Sequence, residues 1–244
     1  MARLDDLVRF YDILNLLEQR IGGPRRLGKC HGRLMWPQRG VYFVYEPGEV
    51  RSDSGSGPRV IRVGTHAITI NSRTTLWNRI SQHRGTAKTG AGNHRGSIFR
   101  LLIGNAMKRR DQTDEPISWG VAGDPGKAAR KLGLDRKQVK TSEYALETRV
   151  SEYIQKMSIT WLPIEDAPGS ESRRGYVERN AIGLLSNFSN SPVDRPSSDW
   201  LGSFCDREGV QRSGLWNNNH VDAGYNPDFL LVLEKIVTSI KAGA

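Results

Sequence analysis

Three consecutive segments decide the predicted fold: GVYFVYE (residues 40–46), RVIRVGT (residues 59–65) and TTLWNRISQHRG (residues 74–85). The first two are rich in β-branched and aromatic residues, and the turn-forming stretch PGEVRSDSGSGP (residues 47–58) separates them, so we expect two strands joined as a hairpin. In the third segment a threonine can cap a helix whose inward face carries Leu76 and Ile80. Arg79 and His83 are four residues apart on that helix and can reach one point above the sheet.

The composition indicates a globular protein. With 244 residues, of which 37% are hydrophobic and 25% charged, the chain can bury a sizeable core. No apolar run is long enough to span a membrane, and charged residues interrupt the N-terminal segment, which argues against a secretory signal. Cys30 and Cys205 lie far apart without a CxxC partner. We therefore expect a protein of the reducing cytoplasm, without a disulfide framework or a zinc ribbon.

The net charge of +10 is concentrated in one segment. Residues 54–110 contain 11 lysines and arginines and no acid, whereas the rest of the chain has 25 basic and 26 acidic residues. A block of one sign is typical of a surface that binds a polyanion, and a solvated basic face is the alternative. Within the block, Arg73, Arg84, Lys88 and Arg95 are the predicted nucleic-acid contacts.

Later segments complete the predicted elements. SITWLPI (residues 158–164) predicts a third strand, and GYVERNAIGLLSNFSN (residues 175–190) predicts a helix that runs into a turn. Further helices are predicted over residues 4–21, 97–107 and 142–157 and after Asn226. Near the C-terminus, Trp216 and the neighbouring Asn and His residues fill the core or contact nucleic-acid bases.

The order of these elements and their motifs resembles the GIY-YIG nucleases. Gly40-Val41-Tyr42 matches the first signature, Arg62-Val63-Gly64 stands where the second is expected, and Arg79 lies on the following helix. Glu178, with Asn190 twelve residues later, resembles the spacing of the excinuclease branch of the family. The implied fold is α+β, with a small three-stranded antiparallel sheet flanked by helices, a helical insertion and a C-terminal helical extension.

The implied boundaries are an N-terminal helix and basic connector (residues 1–35), a nuclease core (residues 36–190) and a C-terminal extension (residues 191–244). Ninety-eight residues separate Arg79 from Glu178, which is more than a compact core of this family needs. We interpret residues 96–156 or so as an inserted subdomain for substrate choice, or as a structural cover over the basic face.

The resemblance also implies a role for each site residue. Glu178 would hold one Mg²⁺ or Mn²⁺, and Tyr42 would position or deprotonate the attacking water. Arg79 would contact the scissile phosphate, His83 would relay a proton or bind a neighbouring phosphate, and Asn190 would orient the glutamate. Ordinary structural roles compete with these assignments: a strand tyrosine, a solvated arginine and histidine, and a glutamate paired to a neighbouring arginine.

Arg62 departs from the family pattern, because it replaces the tyrosine of the second signature. An arginine there could hold phosphate or lower the pKa of Tyr42, but it cannot act as a base. The expected activity is a metal-dependent endonuclease acting on DNA, with restriction or another defence against foreign DNA as its setting. A noncatalytic nucleic-acid-binding module with the same fold and an RNA-cleaving nuclease are the alternatives.

Overall fold

The computed structural model describes residues 2–241, which form four strands and eight α-helices. In chain order these are α1 (Ala2–Ile21), β1 (Arg25–Arg26), β2 (Gly40–Val50), β3 (Pro58–Gly64), α2 (Leu76–Arg84), α3 (Ile98–Arg110), α4 (Pro125–Leu132), α5 (Arg136–Lys156), β4 (Ser158–Pro163), α6 (Arg173–Leu185), α7 (Glu208–Ser213) and α8 (Phe229–Ser239). No helix in this part of the chain is long and apolar enough to cross a membrane.

The strands form one antiparallel sheet in the order β1-β4-β2-β3. This corrects the predicted count of three strands and confirms the α+β class. The fourth strand, Arg25–Arg26, pairs with Ile159 and Ser158 at the edge of β4. It was missed because two exposed arginines within a basic connector show neither the alternation nor the apolar content that predicts a strand.

Helices cover both faces of the sheet. Phe43 of β2 packs against Phe10 of α1, with ring centroids 5.9 Å apart. The neighbouring residue Tyr42 points to the opposite face, as strand geometry requires, and contacts His83 of α2. Helices α1, α6 and α8 contact one another, and α5 contacts both α2 and α3. One hydrophobic core runs through these layers from α1 to α8.

Trp216 and Asn217 cover the outer edge of β3. The backbone N–H of Trp216 donates to the carbonyl of Ile61 at 2.7 Å. The Asn217 side chain accepts from the N–H of Val63 at 3.1 Å and donates to its carbonyl at 2.8 Å. Trp216 is fully buried, which confirms its core-filling role. The C-terminal part of the chain thus satisfies backbone groups that an edge strand would otherwise leave open.

Candidate active site

A cleft of about 350 Å³ lies where β3, α2, α6 and the segment 217–220 meet. Its walls include Arg62 and Thr65 from β3 and the residues just after it, Arg79 from α2 and Glu178 from α6. The fold therefore brings together three of the predicted site residues that are up to 116 positions apart, since 178 minus 62 is 116. We call this space the cleft.

Glu178 stands in the second turn of α6, whose start is fixed by the side chain of Ser172 capping the N–H of Gly175. One carboxylate oxygen, Oε1, accepts a hydrogen bond from the N–H of Thr65 at 3.0 Å. The other oxygen has no hydrogen bond within residues 2–241. Burial raises the pKa of Glu178, although the Thr65 N–H and nearby arginines, Arg62 first, favour the charged form.

The two arginines of the cleft are held in different ways. Arg62 is buried, donates to the carbonyl of Trp216 and places its guanidinium 4.8 Å from the ring centre of Phe99. Arg79 is half-buried and makes only long contacts, 3.4 Å to Gln82 Oε1 and 3.5 Å to the carbonyl of Gly96. Neither forms an ion pair with a carboxylate in the described chain. Two positive charges therefore remain available to an anion in the cleft.

Tyr42 and His83 form a buried hydrogen-bonded pair behind the cleft. The Tyr42 hydroxyl lies 2.7 Å from His83 Nε2, and His83 Nδ1 lies 2.7 Å from the Oγ of Ser97. Ser97 is itself fixed as the cap of α3, because its Oγ accepts from the N–H of Arg100 at 3.3 Å. The Arg100 guanidinium also donates to the His83 carbonyl at 2.9 Å. The imidazole is thus held at both ring nitrogens and at its backbone.

The surroundings of His83 favour its neutral form. Burial, and after it the positive charges of Arg79, Arg62 and Arg100, hold the pKa of His83 well below its ordinary value. A neutral imidazole that donates through Nδ1 to Ser97 can accept a proton at Nε2 from Tyr42.

Two glycines leave the space that this arrangement needs. Gly64 pairs across the hairpin with Tyr42, and a Cβ on Gly64 would lie 2.2 Å from the Tyr42 hydroxyl oxygen. A Cβ on Gly40 would lie 2.5 Å from the carbonyl oxygen of Leu162 on β4. Both distances are far shorter than a van der Waals contact, so these positions require glycine for close approach.

Comparison with protein families matches residues 1–243 of the chain to the GIY-YIG domain. The chain belongs to the GIY-YIG family. The predicted membership of the GIY-YIG nuclease superfamily is thereby confirmed. No curated protein and no solved structure matches the chain. GIY-YIG domains are nuclease domains, which implies a nucleic acid as substrate.

The residue that departs from the GIY-YIG pattern, Arg62, lies inside the cleft. It is paired across the hairpin with Val44 and lies on the same face of the sheet as Tyr42. Its Nε is buried without a hydrogen-bond partner in the described chain. The positive charge of Arg62, which we predicted at the second signature, therefore adds to that of Arg79 in the same cleft.

The cleft fits a single hard divalent cation of the kind GIY-YIG nucleases generally use. The described residues contain no group of three or more His, Cys, Asp or Glu side chains that could hold a metal ion. Glu178 is the acid among the residues that line the cleft, and one of its oxygens is free of hydrogen bonds within residues 2–241. Magnesium keeps most of its waters and needs only one or two carboxylates, so this donor set is adequate.

The structure does not bring Asn190 into the cleft. Its exposed side chain donates to the carbonyl of Ser186 at 3.1 Å, beyond the C-terminal end of α6. Ser186 lies eight positions after Glu178, which is about 12 Å along a helix axis. Asn190 therefore lies too far beyond the end of α6 to orient the glutamate, and the Thr65 N–H holds the glutamate instead.

The predicted nucleic-acid contacts have different environments. Arg73 and Lys88 are exposed and Arg84 is half-buried. Arg95 is buried in a two-pronged ion pair with Glu143, at 2.6 and 2.7 Å, so it is not available to nucleic acid. The local sequence could not show this, because the neutralising acid lies 48 positions away on α5. Two more arginines of the basic block are buried against acids in the same way, Arg59 with Glu49 and Arg100 with Glu147.

Two residues of the site, Thr65 and Ser97, were missed in the sequence, whereas Asn217 belongs to the Trp/Asn/His cluster near the C-terminus for which core filling and contact with bases were both considered. Thr65 positions the glutamate, Ser97 holds the histidine, and Asn217 anchors the segment that closes the cleft. Ser97 had a readable signal, since a serine directly before an apolar helical run predicts a cap. Thr65 acts through its backbone, which no side-chain pattern reports.

Proposed function

We propose that the protein is a metal-dependent endonuclease that hydrolyses phosphodiester bonds of DNA. The observation that carries this proposal is the cleft, whose lining includes Arg62, Arg79 and Glu178, with one carboxylate oxygen of Glu178 free of hydrogen bonds within residues 2–241. The buried pair of Tyr42 and His83 lies beside it. The excess of positive charge in the cleft suits a phosphodiester better than a neutral substrate.

In the proposed reaction, the two arginines bind the nonbridging oxygens of the scissile phosphate and stabilise the charge that develops there. Arg62 is fixed by Trp216 and Phe99, whereas Arg79 is held only by long contacts and can adjust to the substrate. Glu178 would hold the cation through its free oxygen. When bound, a divalent ion supplies Lewis-acid polarisation of the phosphate and of its water.

Tyr42 and His83 would move the proton. The Tyr42 hydroxyl passes its proton to His83 Nε2 as it takes one from the attacking water, and His83, whose lowered pKa disfavours the charged form, returns its proton through Tyr42 to solvent after the bond breaks. The water oxygen forms the new bond to phosphorus, the bond from phosphorus to the leaving oxygen breaks, and that oxygen takes a proton from solvent. Tyr42 is 0% exposed, so the role requires the cleft wall around Gly64 to admit one water when substrate binds.

A plasmid nicking assay with Mg²⁺ tests the proposal. Glu178→Ala should abolish nicking, because it removes the only carboxylate that we assign to the cation. Glu171→Ala is the matched control, since it removes an exposed carboxylate shortly before the same helix. Equal nicking by wild type and Glu178→Ala, or no nicking by wild type on any substrate tried, would reject the assignment and favour the noncatalytic module.

The substrate and its biological setting need two further measurements. The same assay with labelled RNA separates DNA cleavage from RNA cleavage, and preferential cutting of RNA would overturn our choice of DNA. For the setting we propose restriction or another defence against foreign DNA. Sequencing the ends of the products tests the restriction setting, because a site-specific restriction enzyme cuts at or at a fixed distance from its recognition sequence, and random ends would contradict site-specific restriction.

A further inference from the structure

A second cationic surface lies on α5, away from the residues that line the cleft. Arg136, Lys137, Lys140, Thr141 and Tyr144 are exposed on one face of its first three turns, where they line a shallow hollow. We call these five residues the α5 face. Of residues 136–145 of α5, only Val139 and Glu143 are buried, so most side chains in this part of the helix face solvent.

The acidic side chains near the α5 face cap helices or form an ion pair with another residue. Asp124 caps α4, and Asp135 caps α5 in a capping box with Gln138. Glu143 is buried against Arg95. In the described part of the chain, no side-chain hydrogen bond or ion pair is formed by any of the six exposed cations of this region, which are Lys127, Arg130, Lys131, Arg136, Lys137 and Lys140. The region therefore carries an excess of positive charge, because six cations stand against the carboxylates of Asp124 and Asp135.

The backbone architecture is suited to a duplex. The short helix α4, a turn that begins with Gly133 in the left-handed conformation and the long helix α5 follow one another. Ala128 and Ala129 of α4 and Val139 of α5 form a small hydrophobic cluster that joins the two helices and is separate from the main core. Short helix, tight glycine turn and projecting second helix are the parts of a helix-turn-helix, whose second helix enters the major groove with its N-terminal turns.

A hydrogen bond links the α5 face to the nuclease core. The Tyr144 hydroxyl donates to the carbonyl of Thr89 at 2.7 Å, and the exposed Lys88 is the preceding residue. That loop follows α2, the helix that carries Arg79. The start of α5 is about 16 Å along the helix axis from Glu147, which supports His94 and Arg100 behind the cleft. The protein thus carries positive charge both at the cleft and on the α5 face, which is separate from the residues that line the cleft.

We infer that the α5 face is a second DNA-contacting surface, which binds the phosphates and major groove of a duplex outside the bond to be cleaved. The inference rests on the proposed function for its class of partner. It gives the inserted helices a role in choosing and holding the substrate, separate from the residues that act on the phosphate.

Fluorescence anisotropy on a labelled 30-base-pair duplex, in EDTA and over a range of KCl concentrations, tests the inference without requiring cleavage. The test variant is Arg136→Ala/Lys137→Ala/Lys140→Ala, and alanine is well tolerated in a helix. Loss of three phosphate contacts should flatten the slope of log K against log salt by about 2.7 and weaken binding at least about tenfold at 0.1 M KCl. The control is Arg195→Ala/Lys235→Ala/Lys241→Ala, which removes three exposed cations from the C-terminal part.

A changed slope for the α5 variant and an unchanged slope for the control would support the inference. Equal slopes for wild type and the α5 variant, equal losses in both triple variants, or no binding by wild type would overturn it. The result is distinguishable from that of the nicking assay. Weakened binding without any wild-type nicking would reject the nuclease proposal alone, and nicking with an unchanged slope would reject the α5 face alone.

Discussion

Gly64→Ala should destabilise the protein strongly although it adds a single methyl group. The three atoms nearest the added Cβ all belong to Tyr42: the hydroxyl oxygen at 2.2 Å, Cζ at 2.3 Å and Cε1 at 2.9 Å. Tyr42 is fully buried and cannot move into solvent without disrupting the core. Overpacking of this kind costs about 1–3 kcal/mol, and loss of the hydrogen bond to buried His83 adds about 1 kcal/mol or more.

We therefore expect the free energy of unfolding to fall by about 3 kcal/mol, which corresponds to roughly 10 °C in Tm for a chain of this size. Urea denaturation monitored by tryptophan fluorescence measures the loss. Gly123→Ala is the control, because a Cβ there meets no atom within 4 Å and the backbone does not require a positive φ. It should be neutral or slightly stabilising. A difference below about 1 kcal/mol between the two variants would refute the steric reasoning.

Three further changes separate structural from catalytic roles. Tyr42→Phe removes the hydroxyl bonded to His83, so nicking should fall about 10²–10⁴-fold in the plasmid assay, and unchanged nicking would reject the proton transfer. Glu178→Gln should abolish nicking and yet make the protein more stable. Burial raises the pKa of Glu178 and disfavours its charged form, so the neutral glutamine should increase the free energy of unfolding measured by urea titration at pH 7. A less stable variant would contradict this. Burial lowers the pKa of His66 to about 4, so its neutral form is favoured on folding. The free energy of unfolding should therefore fall as the pH drops from about 6.5 to 4, and it should fall less steeply in His66→Gln than in the wild type. Parallel pH profiles of the two proteins would refute this role of His66.

Much of the fold could be predicted because the decisive segments have strong local patterns. The expected strands at residues 40–46 and 59–65 and the helix at residues 74–85 correspond to β2, β3 and α2. The first strand continues to Val50, because its pairing with Pro58 extends the hairpin into the predicted loop. Turn-forming composition alone could not show where the pairing stops.

The start of α5 was predicted six residues too late, and α4 was not predicted at all. In these segments more than half of the side chains are polar or charged and exposed, and the buried residues are two alanines of α4 and Val139. An apolar periodicity is therefore almost missing. The capping box of Asp135 and Gln138 was the readable signal, because Asp followed three residues later by Gln marks a helix start.

Predicting the site depended on whether a residue acts through local spacing or through distant contacts. The spacing of Arg79 and His83 on one helix was readable, and the structure places Arg79 in the cleft wall and His83 behind the cleft, bonded to Tyr42. The burial of Arg95 and the position of Asn190 depend on Glu143 and on the end of α6. Such contacts are decided by the assembled fold and leave no trace in the neighbouring residues.

The cover over β3 also limits how two copies of the protein could associate. Trp216 and Asn217 occupy the outer edge of that strand, and the opposite edge of the sheet is the two-residue strand β1. Neither edge offers a long open ladder, so a dimer that joins two sheets into one continuous sheet is disfavoured. A pair of subunits that cut both strands of a duplex would have to meet through helices or loops. Surface substitutions could then change the distance between the subunits, and with it the stagger of the two cuts.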